Sequence, residues 1–217
     1  GGALDRRQFP RWQRDYLALL AQRDLPAWGL PAKPQITQRL LKMIAAVHGQ
    51  VWNGTQVGQS LGLSYHTVNG YLDYLEGAFL VRRLSPWHAN VGKRLVKSPK
   101  LYVRDTGLLH SLLGLPFAKR PLLAHPKAGA SFETFCIEQI LLHAHLADPG
   151  AQGFFYRAHG GQEVDLLLRI RDSLVPIEIK LGLAVGSRDL TGLRQCMSDL
   201  GLRRGFVVYG GDEPRRL

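Results

Sequence analysis

Hydrophobic residues recur along the chain at two spacings, one typical of helices and one typical of strands. In the first half, the helical spacing predicts helices over 5–25, 35–49, 55–61 and 65–76. Gly62 marks a turn between the last two helices, and Thr55 and Ser64 are their expected N-caps. A strand-like segment follows over 78–84, and 100–114 reads as a strand, a turn and a short helix.

The second half has the element order helix, three strands, helix, strand. The expected elements are a helix over 130–146, strands over 153–157, 163–170 and 174–181, a helix over 188–200 and a buried strand over 205–210. The first helix is expected to face inward with Phe132, Phe135, Cys136, Ile140 and Leu141.

The pattern predicts an α/β protein with two domains. The expected divisions are an N-terminal helical segment and joint over 1–34, a winged helix-turn-helix domain over 35–115, a linker over 116–127 and a second domain over 128–217.

Composition describes an ordinary globular chain: of 217 residues, 45% are hydrophobic and 21% are charged. No apolar run is long enough to span a bilayer, so no membrane partner is expected. Two cysteines give neither a disulfide framework nor metal-ligand spacing, which favours a reducing, cytoplasmic compartment. The chain begins Gly-Gly-Ala without methionine, which favours a fragment of a longer protein.

The net charge of +11 is concentrated in the first half. Residues 1–120 hold 17 Lys and Arg against 6 Asp and Glu, whereas 121–217 hold 11 of each. A basic half beside a neutral half favours a polyanion-binding module, and the alternative is a solvated basic face.

The helix-turn-helix pattern makes DNA the expected polyanion. Its second helix would offer Ser64, Tyr65, His66, Thr67 and Asn69 to a groove or a phosphate. Phosphate contacts are expected from the acid-free stretch that follows, which contains Arg82, Arg83, Lys93, Arg94, Lys97 and Lys100. The alternative is a helix-turn-helix that contacts only protein partners.

The segment "EVDLLLRIRDSLVPIEIK" (163–180) sets charges into two apolar strands. If they form a hairpin centred between Arg171 and Asp172, cross-strand partners have numbers that sum to 343, and Asp165 faces Glu178. Lys180 then points to the same face as Glu178. Two opposed carboxylates repel each other, and Mg²⁺ or Mn²⁺ would relieve that repulsion. The alternative is a structural ion pair.

The motifs "VDLLL" and "PIEIK" resemble the D…(D/E)-x-K core of the PD-(D/E)XK restriction-endonuclease-like superfamily, and the order of elements around them is similar to its common core. The resemblance implies that Asp165 and Glu178 are metal ligands and Lys180 the catalytic lysine. Glu133, in "GASFETF", matches a helix glutamate that serves as an extra ligand. The chain departs from the pattern at Val164, where a proline is expected.

A second resemblance covers nearly the whole chain. "PRWQRDYLALLAQRDL", "KLYVRDTGLLHSLLG", "GASFETFCIEQI" and "PIEIK" resemble the C-terminal half of a family of prokaryotic AAA-type ATPases. The chain has no P-loop motif, since "NVGKRL" lacks the loop and the Ser or Thr. ATP is therefore expected only through an N-terminal domain that this chain lacks.

Two functional hypotheses remain. The first is a Mg²⁺- or Mn²⁺-dependent nuclease that grips DNA through the first domain. The second is a non-catalytic module that binds DNA or a protein partner for the ATPase. Other chemistry-bearing residues have simpler interpretations: His143 and His145 as cations near a helix end, Cys136 as a core residue, and Glu138 and Glu163 as surface acids.

Overall fold

A computed structural model describes residues 8–87, 98–115, 118–158 and 160–214. The helices are α1 (Phe9–Leu19), α2 (Leu25–Ala27), α3 (Pro34–Ala46), α4 (Gly54–Leu61), α5 (Tyr65–Gly77), α6 (Thr106–Leu112), α7 (Lys119–Ala124), α8 (Ala128–Ala147) and α9 (Thr191–Leu200). The strands are β1 (Gln50–Val51), β2 (Val81–Pro86), β3 (Lys100–Val103), β4 (Gln152–Arg157), β5 (Glu163–Ile170), β6 (Ser173–Lys180) and β7 (Phe206–Tyr209). A π-helical segment, Leu20–Asp24, joins α1 to α2, and a 3₁₀ turn, Ser187–Leu190, leads into α9.

The strands form a mixed sheet in the order β1-β3-β2-β4-β5-β6-β7. β5 runs antiparallel to both β4 and β6, whereas β2 with β4 and β6 with β7 pair in parallel. This arrangement confirms the α/β class. In the part of the chain that the structure describes, no helix is both long and apolar enough to cross a membrane.

The chain divides into two compact units. The first contains Gly1–Arg83 and Leu101–Pro126, and the second contains Leu84–Lys100 and Lys127–Leu217. The described residues of 84–100, which the sequence pattern assigned to the first domain, therefore group with the second unit. The pairing of Ser85 in β2 with Phe154 in β4 gives the reason.

The first unit is helical around a leucine-rich core. Leu40 and Ile44 of α3 and Leu72 of α5 are fully buried at its centre. Ser64 caps α5 as predicted, and its hydroxyl oxygen accepts from the Thr67 N–H at 3.0 Å. The cap predicted for α4 was wrong: Asn53, not Thr55, accepts from the Gln56 N–H.

The second unit contains α8, α9 and the strands β4 to β7. The predicted inward face of α8 was partly wrong: Cys136 and Leu141 are buried, but Phe135 is 53% exposed. Apolar residues occur all around α8, so their spacing does not single out one face. Strand β7 is half-exposed, not buried, because it lies at the edge of the sheet and has β6 as its neighbour.

The β5–β6 hairpin has the register that the sequence predicts. Leu166 pairs with Ile177, and Ile170 with Ser173, so each pair of numbers sums to 343. Arg171 and Asp172 form the turn, with Arg171 at a positive φ of 51°. The Asp148 carboxylate accepts from the Arg171 N–H at 2.9 Å and so holds this turn.

Candidate functional site

Asp165, Glu178 and Lys180 come together where the β5–β6 ladder ends. The Lys180 ammonium donates to Glu178 Oε1 at 2.5 Å. Beyond the Leu166–Ile177 pair, the Asp165 carboxylate accepts from the Ile179 N–H at 2.8 Å. The Asp165 side chain thus accepts a hydrogen bond that a backbone carbonyl would accept in a regular ladder. This bond fixes the Asp165 carboxylate against β6.

The Glu178 carboxyl group is buried, and only one of its two oxygens has a hydrogen-bond partner. Its residue is only 5% exposed, and its Oε2 atom is buried without a hydrogen-bond partner. Burial, and next the Asp165 carboxylate, raise the pKa of Glu178 to about 7 against the lowering effect of Lys180. Burial also raises the pKa of Asp165, and Lys100, the Ile179 N–H and Lys180 oppose that rise. Burial therefore favours the neutral form of both carboxyls, and the nearby cations oppose that effect only in part.

Lys180 combines a fixed charge with access to solvent. Burial lowers the pKa of its ammonium, but the Glu178 and Asp165 carboxylates outweigh burial, so the pKa is raised overall. The Lys180 side chain is 35% exposed, against 7% for Glu178. A molecule that approaches from solvent can therefore reach the lysine beside the buried carboxylate.

A second ion-pair group, missed from the sequence, lies in the same unit. The Lys100 ammonium pairs with Glu163 Oε1 and lies 3.7 Å from Glu133 Oε1. Glu163 is therefore a partner in a buried ion pair, not a plain surface acid. The sequence carried one signal for this placement. Glu163 lies two residues before Asp165 on β5, and alternate residues of a strand share a face.

Glu133, predicted from the family resemblance to be an extra metal ligand, has the Lys100 ammonium as a close neighbour. Across the described residues, no group of three or more His, Cys, Asp or Glu side chains is arranged to hold a metal ion. Glu133 Oε1 lies 3.7 Å from the Lys100 ammonium, and the Glu133 carboxylate also contributes to the raised pKa of Glu178. Asp165 on β5 and Glu178 on β6 are the carboxylates that interact with Lys180.

The α5 residues that were expected to bind DNA differ in how far they are exposed to solvent. Ser64, Tyr65 and His66 are exposed at the start of α5, whereas Thr67 is half-buried. Asn69 accepts from the Trp52 indole N–H at 2.9 Å, and so its side chain is engaged within the first unit.

The three described basic residues that were expected at phosphates, Arg82, Arg83 and Lys100, all interact with other groups of the protein. Arg83 pairs with Asp73 at 2.7 Å and with Glu76, and Lys100 is buried. Arg82 is half-buried and interacts with other groups. The remaining three, Lys93, Arg94 and Lys97, lie outside the described residues.

The raised pKa of Glu178 predicts how stability depends on pH. A carboxyl that is protonated more readily in the folded than in the unfolded chain stabilises the fold at low pH. That contribution declines as pH rises from the ordinary value of 4.5 to about 7. In urea unfolding between pH 5 and 8 with EDTA, we expect the free energy of unfolding to fall over this interval.

Glu178→Gln should flatten that decline, because its amide does not titrate, and substitution of the exposed Asp212 by Asn should leave it intact. An equally steep decline in Glu178→Gln would assign the pH dependence to other groups.

Comparison with known proteins gives the family. Residues 3–119 match the family described as Domain of unknown function (DUF8612), which is more than half of the chain. The chain belongs to the DUF8612 family. Residues 128–217 match a second family, Domain of unknown function (DUF4143). The site described above lies mainly in this second match, with Lys100 in the DUF8612 match.

Two curated relatives are similar to nearly all of the chain. They are the uncharacterized proteins Rv2008c of Mycobacterium tuberculosis and Mb2031c of Mycobacterium bovis, each 37% identical over 202 residues. The alignments cover 93% of this chain but 44% of each relative, so the chain spans less than half of their length. No solved structure matched the chain.

Proposed function

We propose that this chain is the DNA-binding and nuclease-like C-terminal part of an AAA-type ATPase, and that its second unit hydrolyses phosphodiester bonds in DNA with Mg²⁺ or Mn²⁺. The observation that carries the proposal is the buried, unpartnered Oε2 of Glu178 beside Asp165 and Lys180. In this view the first unit is a winged helix and the second a restriction-endonuclease-like domain.

The donor set fits a hard divalent cation. Asp165 and Glu178 supply carboxylate oxygens, and both have raised pKa values, chiefly through burial. Mg²⁺ is commonly held by one or two carboxylates together with water and substrate phosphate, so a third protein ligand is not required. When bound, such an ion polarises a phosphoryl oxygen and makes a bound water a better nucleophile.

Lys180 would act on the substrate side of the site. Its exposed, charged ammonium can hold the attacking water or donate to the phosphoryl oxygen on which negative charge develops. The 2.5 Å contact to Glu178 fixes the direction of the ammonium, so little reorganisation is needed when a substrate arrives.

DNA would be held by the start of α5. Ser64, Tyr65 and His66 are exposed there, next to the N–H groups of the first helical turn. Such a helix start suits a phosphate, and an aromatic side chain beside it suits a sugar or base. The ATPase assignment rests on the whole-chain resemblance and on the greater length of the two mycobacterial relatives.

Loss of a metal ligand tests the hydrolase directly. With Mn²⁺ and either plasmid or single-stranded DNA, the chain is expected to cut DNA, and Asp165→Asn should reduce cutting by about 100-fold or more. Asp172→Asn, in the turn of the same hairpin, is the matched control and should cut normally. DNA cutting by Asp165→Asn at the normal rate would contradict the proposal.

The competing function is a non-catalytic module, and the buried Lys100 ammonium near Glu133 and Glu163 favours it. A permanent cation in an acid-rich site is what a nuclease fold that has lost turnover would retain. This alternative predicts salt-dependent DNA binding without cutting in any divalent metal. If binding is also absent, the first unit would be assigned to protein contacts.

A further inference from the structure

Lys100 is an enclosed cation. Its side chain is 6% exposed, and its ammonium pairs with Glu163 and lies 3.7 Å from Glu133. The ammonium also lies 5.6 Å from the centre of the Phe155 ring, and Phe155 is fully buried. Few lysines are buried to this degree, because removing an ammonium from water is costly unless carboxylates surround it.

The surrounding carboxylates keep this lysine charged. Burial lowers the pKa of Lys100, but the Glu133 and Glu163 carboxylates, with a further contribution from Asp165, raise it overall. One positive charge therefore interacts with three acids inside the second unit. Glu133 and Glu163 have the cation as a direct neighbour, within ion-pair distance.

The cations are placed unevenly around the carboxylates of this site. On the Glu133 and Glu163 side, the buried Lys100 ammonium already occupies the position beside both carboxylates, and Arg157 Nε lies 4.0 Å from Glu163 Oε2. On the Asp165 and Glu178 side, Lys180 reaches only one oxygen of Glu178, and the other oxygen is buried and unpartnered. An added cation is thus favoured on one side of the site and opposed on the other.

We propose that Lys100 takes the place of a second divalent ion and so limits the site to a single ion, held by Asp165 and Glu178. Lys100 is then a positioning residue that sets the metal stoichiometry. This inference rests on the proposed function, which supplies the single ion.

Metal counting tests the inference without any measurement of DNA cleavage. We expect the chain at pH 8 to bind one Mn²⁺ by isothermal titration calorimetry and by loss of the free Mn²⁺ paramagnetic resonance signal. Lys100→Met should bind two, because the ammonium that lies beside Glu133 and Glu163 is removed. In EDTA its thermal midpoint should lie below that of the parent chain, and Mn²⁺ should restore it. Lys42→Met, at an exposed lysine of α3, should behave like the parent chain.

The outcomes separate the two proposals. One Mn²⁺ in both the parent chain and Lys100→Met overturns the inference alone. No Mn²⁺ in the parent chain overturns both the proposed function and the inference that rests on it. If Lys100→Met does not fold even with Mn²⁺, Glu163→Gln decides: we expect it to bind one ion with parental affinity. A tenfold or larger loss of affinity would make Glu163 an ion ligand and overturn the inference.

Discussion

Lys180→Met is expected to lower the rate of Mn²⁺-dependent DNA cleavage by about 100-fold or more, the usual effect of removing one electrostatic donor from a reaction centre. Methionine keeps the length of the side chain but loses the ammonium that contacts Glu178. Because Lys180 is a cation that contacts Glu178, its loss removes a positive charge next to the proposed ion and should not weaken Mn²⁺ binding at pH 8. Cleavage and metal affinity should therefore respond differently.

The measurement is a cleavage time course beside a calorimetric Mn²⁺ titration of the same sample. Lys119→Met, at an exposed lysine of α7, is the matched control and should change neither quantity. Normal cleavage by Lys180→Met would remove the lysine from the reaction. Loss of Mn²⁺ binding would instead show that Lys180 acts by holding Glu178 in place.

Gly192→Ala is expected to destabilise the second unit by about 3 kcal/mol, because the added methyl group has no space. A Cβ at Gly192, in the first turn of α9, would overlap the backbone carbonyl oxygen of Glu163. Backbone atoms cannot rotate away, so α9 must move from the start of β5. The same shift would displace Glu163, the partner of Lys100.

Urea unfolding followed by circular dichroism measures this effect. Gly129→Ala is the matched control, because Gly129 lies in the first turn of α8 and a Cβ there meets no atom within 4 Å. We expect the control to be at least as stable as the parent chain, since alanine is the better helix former. Equal stability of Gly192→Ala and the parent chain would mean that α9 can retreat from β5 at little cost.

The charged hairpin was predictable from the sequence because it depends on local rules. A two-residue turn and alternating side chains determine which residues face each other, and the observed pairing of Leu166 with Ile177 follows those rules. The contact of Lys180 with Glu178 follows from their separation of two on one strand. The α/β class was likewise readable from hydrophobic spacing.

The ion pair between Lys100 and Glu163 was not predictable, because it joins segments that are far apart along the chain. A lysine at the head of an apolar strand is usually exposed, and only the fold reveals the carboxylates that enclose it. Arg83 is similar: its partners Asp73 and Glu76 lie on α5, and the chain must turn back after that helix to bring them close. Basic composition therefore gives no sign that Arg83 and Lys100 are paired with acids of the same chain.

The predictions of the inward face of α8 and of a buried β7 were wrong for another reason. A helix with apolar residues on every side gives no direction by spacing, so Phe135 was placed inward although it is exposed. An apolar strand gives no sign of whether it will have one neighbour or two, and β7 lies at an edge. Both depend on which elements assemble nearby.

The short turn at Arg171 and Asp172 has an evolutionary consequence. One residue inserted or deleted there would slide β6 by one position against β5 and send the Glu178 side chain to the other surface of the sheet. Substitutions at the two turn positions carry no such penalty. Among proteins that descend from this sequence, the length of that loop should vary far less than the identities of its residues.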